Sequence, residues 1–130
     1  MRIDVRTSKR EEFVDVTRTV AQAVAEGGIG EGVAFICCPH TTAGVALNEH
    51  ADPDVACDVL TWLGRSCPLG GGWRHVEGNA DAHVKAVLVG ASVAVPVSGG
   101  SLNLGTWQGV FFCEFDGPRN RHLEVRVLGG

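Results

Sequence analysis

The sequence predicts an α+β fold, a single compact domain over residues 1–130 with a mainly antiparallel sheet or sandwich and two or three helices. Three observations lead there. Short apolar runs with alternating or two-sided patterns recur along the chain, as half-buried and fully buried strands require. Other segments carry helical periodicity between recognisable caps. Most strand-like runs lack a helical crossover between them, which favours antiparallel pairing among about five or six strands.

Ile3 and Val5 alternate with charges in a first strand, and Phe13-Val14-Asp15-Val16 forms a second. Thr17 is the expected N-cap of a helix whose Val16, Val20 and Val24 recur on one face, and Gly27-Gly28 ends it. Gly32 to Cys38 is apolar on both parities, predicting a central strand covered on both sides. Pro39 stops it, and His40-Thr41-Thr42-Ala43 follows at once. Gly44 to Leu47 makes the next strand and runs into Asn48-Glu49-His50. Asp52 caps a helix with Pro53 at its first position and Asp54 complementing the dipole; Val55, Val59, Trp62 and Leu63 are its expected buried stripe. Pro68 closes that helix, and a loop containing Gly70-Gly71-Gly72 leads to a helix from Ala80 to Val89, capped by Asn79 or Asp81 and stopped by Gly90. Ala91 to Val97 is another strand, and Arg121 to Val127 alternates as a half-exposed one.

The run Thr106 to Phe115 is the richest in strand character. One face would carry Trp107, Phe111, Cys113 and Phe115 as core, and the other Thr106, Gln108, Val110, Phe112 and Glu114. A glutamine and a glutamate on so apolar a strand need partners or water. Extended geometry holds Gln108 and Glu114 roughly 20 Å apart, too far to grip one small ligand unless Gly109 forms a sharp bulge. In a symmetric oligomer, the two ends of the strand could serve different sites.

Composition narrows the function classes. With 45% hydrophobic and 20% charged residues the chain is globular, and a net charge of −4 with no basic run argues against nucleic acid or an anionic membrane as partner. The N-terminus is polar with no apolar signal segment, and no apolar run approaches the roughly 20 residues of a membrane-spanning helix. Five cysteines, an odd number without a C-x-x-C pair, fit buried free thiols in a reducing cytosol, so a cytoplasmic protein is expected.

Several side chains could carry chemistry. His40 sits where a buried strand ends, although a turn histidine bonded to a nearby carbonyl would look the same. His83 falls in the first turn of its helix, where the dipole disfavours imidazolium and leaves a neutral ring; a plain surface histidine is the competing reading. His75 lies eight positions earlier on a glycine-flanked loop. Three histidines suit zinc and leave an open coordination position, but this spacing is not a recognised ligand pattern. His50 could replace one of them, and His122 belongs to the polar face of the last strand. Glu49 and Glu114 each end an apolar strand, and Arg119 in D-G-P-R could bind phosphate or pair with Glu114. The triple glycine is a poor phosphate loop because no helix follows it immediately.

Five motifs draw these residues together: P-H-T-T-A-G at 39–44, N-E-H-A-D-P-D-V at 48–55, H-V-E-G-N-A-D-A-H-V-K-A at 75–86, G-x-L-x-L-G-T-W-Q at 100–108 and F-F-C-E-F-D-G-P-R at 111–119. On them the chain resembles the YjbQ-like family, described as secondary thiamine-phosphate synthases. The resemblance implies a largely antiparallel α+β domain assembling as a homotrimer. It implies a divalent metal, zinc or, with a diphosphate substrate, magnesium, held by His40, His75 and His83. Glu49 or Glu114 would act as base or orienter, and Thr41, Asn79, Lys85 and Arg119 would bind a small phosphorylated substrate. The implied reaction joins a pyrimidine methyl diphosphate to a thiazole phosphate and releases pyrophosphate. A non-catalytic trimeric module for a metabolite or metal, or a metal-dependent hydrolase, are the alternative expectations.

Overall fold

The computed structural model describes residues 1–130. In order it contains β1 (Arg2–Arg6), β2 (Glu12–Asp15), α1 (Thr17–Glu26), β3 (Gly32–Cys37), β4 (Ala43–Glu49), α2 (Pro53–Ser66), α3 (Ala80–Val89), β5 (Ser92–Ser98), β6 (Ser101–Leu102), β7 (Gln108–Glu114) and β8 (Asn120–Gly129). The strands form two sheets, one of five in the order β1-β8-β3-β5-β6 and one of three in the order β2-β7-β4. Every neighbouring pair is antiparallel. The α+β class and the antiparallel pairing are as expected, with eight strands where about five or six were anticipated.

Two hydrophobic clusters hold the layers together. The larger lies between the sheets, where Ile3, Val5, Ala34, Ile36, Val95 and Leu123 face Val45, Val110 and Phe112, with Val20 and Val24 of α1 sealing one side. The smaller joins the outer face of the three-stranded sheet to α2 and α3, through Leu63, Ala82, Ala86, Phe111, Cys113 and Phe115. β7 therefore has apolar side chains on both faces because it is central in its sheet and covered on both sides. Gly44 permits the second contact: a Cβ there would stand 2.7 Å from the carbonyl oxygen of Gly90, which accepts a 3.1 Å bond from the Val45 amide.

Several expectations are corrected. β3 is central in its sheet, yet only Ala34 and Ile36 point into the core, and Phe35 on the other parity is 39% exposed because no layer of this chain covers that face. Trp107 is 64% exposed rather than core. The strand begins only at Gln108, after a turn in which the Gln108 amide bonds Gly105 O at 3.1 Å and Gln108 Oε1 accepts from the Gly105 amide at 2.9 Å. That turn also answers the need of Gln108 for a partner. Trp62 is 61% exposed; the covered side of α2 runs through Val59, Leu60 and Leu63. Thr17 lies inside α1, and Asp15 caps the turn by accepting the Thr17 amide at 3.0 Å. All five cysteines are free, but Cys37 and Cys57 are exposed.

The register of β4 with β7 runs unbroken from Ala43↔Glu114 to Glu49↔Gln108, so there is no bulge at Gly109. This decides the layout. The sequence motifs sort to two ends of the three-stranded sheet, with Glu114 at one and Gln108, Glu49 and His50 at the other, about 20 Å apart.

Candidate functional site

The first end gathers the turn after β3, the start of α3 and the turn between β7 and β8. Its centre is a buried ion pair. Glu114 is fully buried; its Oε2 accepts from an η nitrogen of Arg121 at 2.5 Å and its Oε1 from Arg121 Nε at 2.9 Å. Thr7 Oγ1 donates to Oε1 at 2.8 Å, and the amides of Phe115 and Asp116 donate to Oε2 at 3.1 and 3.2 Å. Arg121 also donates to Thr42 Oγ1 at 2.8 Å. Burial opposes the charged carboxylate, but Arg121, Thr7 and the Asp116 amide outweigh it and hold Glu114 below the usual carboxylate range. With both oxygens engaged and the charge this stabilised, Glu114 is built to fix β1, β4 and the β7–β8 turn to one another.

A second buried cluster ties α3 to the segment before β2. Asp81 takes a bidentate pair from Arg10 at 3.0 and 3.1 Å and bonds Lys85 Nζ at 2.8 Å. Lys85 also contacts Glu11. Lys85, expected to bind substrate, is buried between two carboxylates and does not reach open space. Asn79 begins α3 as expected, but its side chain donates to Asp116 Oδ2 at 2.8 Å instead of capping the helix, and its Oδ1 is buried with no partner. Asp116 in turn receives Arg119 Nε on its carbonyl at 2.7 Å and an η nitrogen on its carboxylate at 3.0 Å. Arg119 thus turns from Glu114, one of its two expected partners, to Asp116.

His40 lies on this end, its ring edge against Phe112 and 5.1 Å from the ring of His122. Its Nε2 lies 3.0 Å from the His122 backbone amide and 3.2 Å from the His122 carbonyl oxygen, so it accepts from the first in one tautomer and donates to the second in the other. Burial, followed by the nearby Arg121 charge and His122, pushes the ring below the ordinary histidine value. His75 and His83 pack edge to face with ring centres 5.1 Å apart, and share a depression of about 270 Å³ with Trp73 and Arg74. His83 also borders a larger depression of about 590 Å³ with Cys38, His40 and Thr41.

His83 therefore borders both depressions, but the three histidines do not form a ligand set. No group of three or more histidine, cysteine, aspartate or glutamate side chains is placed to hold a metal ion. Nε2 of His40 is moreover engaged by the His122 backbone. The donors of one chain do not fit the implied three-histidine centre. Glu49 and His50 lie at the far end of the sheet, so neither can join these histidines within one chain.

Sequence reasoning missed Arg121, Thr7, Asp81, Arg10 and Asp15. Arg121 carried a signal: it shares the parity of Leu123 and Val125, so a strand with those residues inward buries the guanidinium too. Asp81 is four residues before Lys85, which places both on one helix face. The partners Arg10 and Thr7 come from remote segments and left no local mark.

Fold and geometry define a two-sheet α+β domain with a polar end lined by histidine, threonine and arginine. The family model described as UPF0047 protein YjbQ-like matches residues 1–130, and the chain belongs to that family. It is 48% identical over 132 residues to the UPF0047 protein YugU of Bacillus subtilis, covering 98% of this chain and 97% of that protein. The UPF0047 protein MJ1081 of Methanocaldococcus jannaschii is 46% identical over 125 residues, covering 96% and 91%. Among solved structures, an uncharacterized conserved protein of the YjbQ/UPF0047 family from Clostridium acetobutylicum superposes with a TM-score of 0.96 at 47% identity, covering 98% of this chain and 99% of that one. A YbjQ-like protein of unknown function from Sulfolobus solfataricus also gives 0.96, at 38% identity, covering 100% and 96%. No helix of the chain is long and apolar enough to cross a membrane.

Proposed function

We propose that the chain is an enzyme acting on a small phosphorylated compound at the His40–His83 end of the three-stranded sheet, with formation of thiamine phosphate as its activity. The observation that carries this is the shared depression of about 590 Å³, which brings His40 and Thr41 from one motif beside His83 from another. A cavity of about 530 Å³, lined by Arg6, Thr7, Ser8, Pro118, Arg119 and Asn120, adds support. Asp116 connects the two regions by holding both Arg119 and the residue that opens α3.

In that reaction a carbon–nitrogen bond forms between the two rings, the bond from the methylene carbon to the diphosphate oxygen breaks, and its electron pair leaves with pyrophosphate. Barrier lowering comes from donors aimed at the departing charge. Arg6, which makes no ion pair, and Arg119 supply fixed positive charge. His40 offers Nδ1, and His83 lines the same depression with a ring that makes no protein hydrogen bond. No step is assigned to a metal, since the donor set of one chain does not fit one.

Assembly as a homotrimer belongs to the same reading. The outer face of the five-stranded sheet leaves Val33, Phe35 and Leu128 exposed, which suits a covered interface, and symmetry would bring the Glu49 end of one subunit towards the histidine end of another. Light scattering should return three times the chain mass of 13.7 kDa.

The test is an assay of thiamine phosphate formed from the two precursors by purified protein. His83→Ala is expected to lower turnover by about a hundredfold or more, and Arg119→Ala to raise KM for the phosphorylated precursors. Wild-type protein that retains a precursor tightly without turning it over would establish a binding module instead and overturn the reading.

A further inference from the structure

We infer that the groove between β2 and α2, at the opposite end of the three-stranded sheet, is a second binding site, for a small organic cation with a flat apolar body oriented by His50. The groove encloses about 460 Å³. Its floor is apolar, made by Phe13, Ala56, Leu60 and Phe111. Its rim carries the carboxylates of Glu11, Glu12, Asp15, Glu49 and Asp52 against the single cation Lys9.

What separates this groove from a merely acidic surface is the seating of His50. Its Nδ1 lies 2.9 Å from Asp15 Oδ2, and its backbone amide donates to Trp107 O at 3.0 Å. Asp15 is itself fixed: Oδ1 accepts from the Thr17 amide at 3.0 Å and from Thr17 Oγ1 at 2.5 Å, while that hydroxyl oxygen accepts from the Val110 amide at 2.8 Å. The imidazole lies against β7 at Gly109, where a Cβ would come within 2.5 Å of Nδ1. Strand, carboxylate and missing side chain together fix the ring. An exposed histidine–aspartate pair contributes little to stability, so a purely structural role would not need this arrangement.

The chemistry of the occupant follows from the groups left open. Thr17 and His50 hold Asp15 below the usual carboxylate range although burial opposes it. Asp15 Oδ2 accepts the proton on Nδ1, and Nε2 has no protein partner. Glu11 spends Oε1 on Lys85 and Arg10 and keeps Oε2 open, while Ser8 takes both oxygens of Glu12. Glu49 and Asp52 each spend one oxygen on a local amide, leaving Oε1 of Glu49 and Oδ2 of Asp52 open. The open carboxylate oxygens are acceptors, over an aromatic and aliphatic floor. Their complement is a planar ring bearing N–H donors and positive charge, such as an amidine or a protonated amino-heterocycle.

Three isosteric probes test this by calorimetry, with ring nuclear magnetic resonance of His50: benzamidine, benzamide and benzoate. Benzamidine should bind saturably, about tenfold or more tighter than benzamide, weaken as salt rises and shift the His50 resonances, while benzoate should not bind. His50→Ala should weaken benzamidine about tenfold, the worth of one charge-assisted hydrogen bond. Gly109→Ala should do the same by displacing an intact imidazole, and Glu49→Gln should weaken it through charge alone. Should Gly109→Ala fail to fold, the exposed His50→Ala and Glu49→Gln variants decide. Absence of benzamidine binding, equal binding of the three probes, or unchanged affinity in both His50→Ala and Glu49→Gln overturns the inference.

Discussion

Glu114→Ala is expected to lower the free energy of unfolding by about 3–5 kcal/mol, the usual effect of leaving a buried partner charge unpaired. The magnitude follows from what the substitution strands. The Arg121 guanidinium is buried and would keep only Thr42 of its present partners, while the Asp116 amide loses its acceptor and Thr7 and the Phe115 amide keep only their longer bonds to Arg119 O and Thr42 O. Single domains hold about 5–15 kcal/mol in total, so the variant should lose a large share of its stability. Urea denaturation measures it. A double variant, Glu114→Leu with Arg121→Met, should recover much of the loss because no charge then stays buried. A loss below about 1 kcal/mol for Glu114→Ala would mean the pair is hydrated.

The same network sets the response to acid. Glu114, Asp81 and Asp116 all have carboxyls held below their ordinary values, in each case against the cost of burial: by Arg121 and Thr7, by Arg10 and Lys85, and by Asn79 and Arg119 respectively. A depressed carboxyl contributes stability that is complete above the unfolded value, about 4, and is lost as pH falls through the folded value. His40 adds an earlier step of the same sign. Burial, Arg121 and His122 depress it, so below about 6.5 the unfolded chain takes up a proton that the folded one resists. Urea midpoints should be level above neutrality, slope down gently below about pH 6.5 and fall steeply below about pH 4. His40→Asn should remove the first slope and leave the second.

The fold could be read because its signals are local. Val16, Val20 and Val24 mark the buried face of α1, and Asp52-Pro53 opens α2 with the Asp52 side chain accepting the Asp54 amide at 2.9 Å. The failures share one cause, since exposure is decided by layers the local sequence does not describe. The apolar second face of β3 is a property of the strand, but whether Val33 and Phe35 are covered depends on what lies beyond the sheet. Trp107 has the character of core, yet the Gly105–Gln108 turn takes it out of the strand. For the site, parity and spacing separated Gln108 from Glu114, and the register carries that separation over to Glu49 and His40. The histidine set rested on residue type, local position and the family resemblance, and none of these places Nε2 of His40 against the His122 backbone.

Asp81→Ala is the second large effect expected, again about 3–5 kcal/mol by denaturation, because Lys85 and Arg10 both lose a carboxylate and α3 loses an acidic residue from its first turn. Lys85→Met is the informative companion. Burial disfavours the Lys85 ammonium, but Asp81 and Glu11 more than compensate and raise its pKa. Removing it leaves Asp81 still bound by Arg10 on both oxygens, so the loss should be clearly smaller than for Asp81→Ala. Combining the two should be less damaging than their sum, since the double variant no longer buries an ammonium that has lost one of its two carboxylates. Kinetics then separate the two roles open to Lys85. A lysine that grips a substrate phosphate would raise KM when replaced by methionine, with little change in stability. A lysine enclosed by Asp81 and Glu11 should leave KM for the phosphorylated precursors where it was and lower only the urea midpoint. A raised KM at unchanged stability would place the substrate against α3 and return Lys85 to the binding residues.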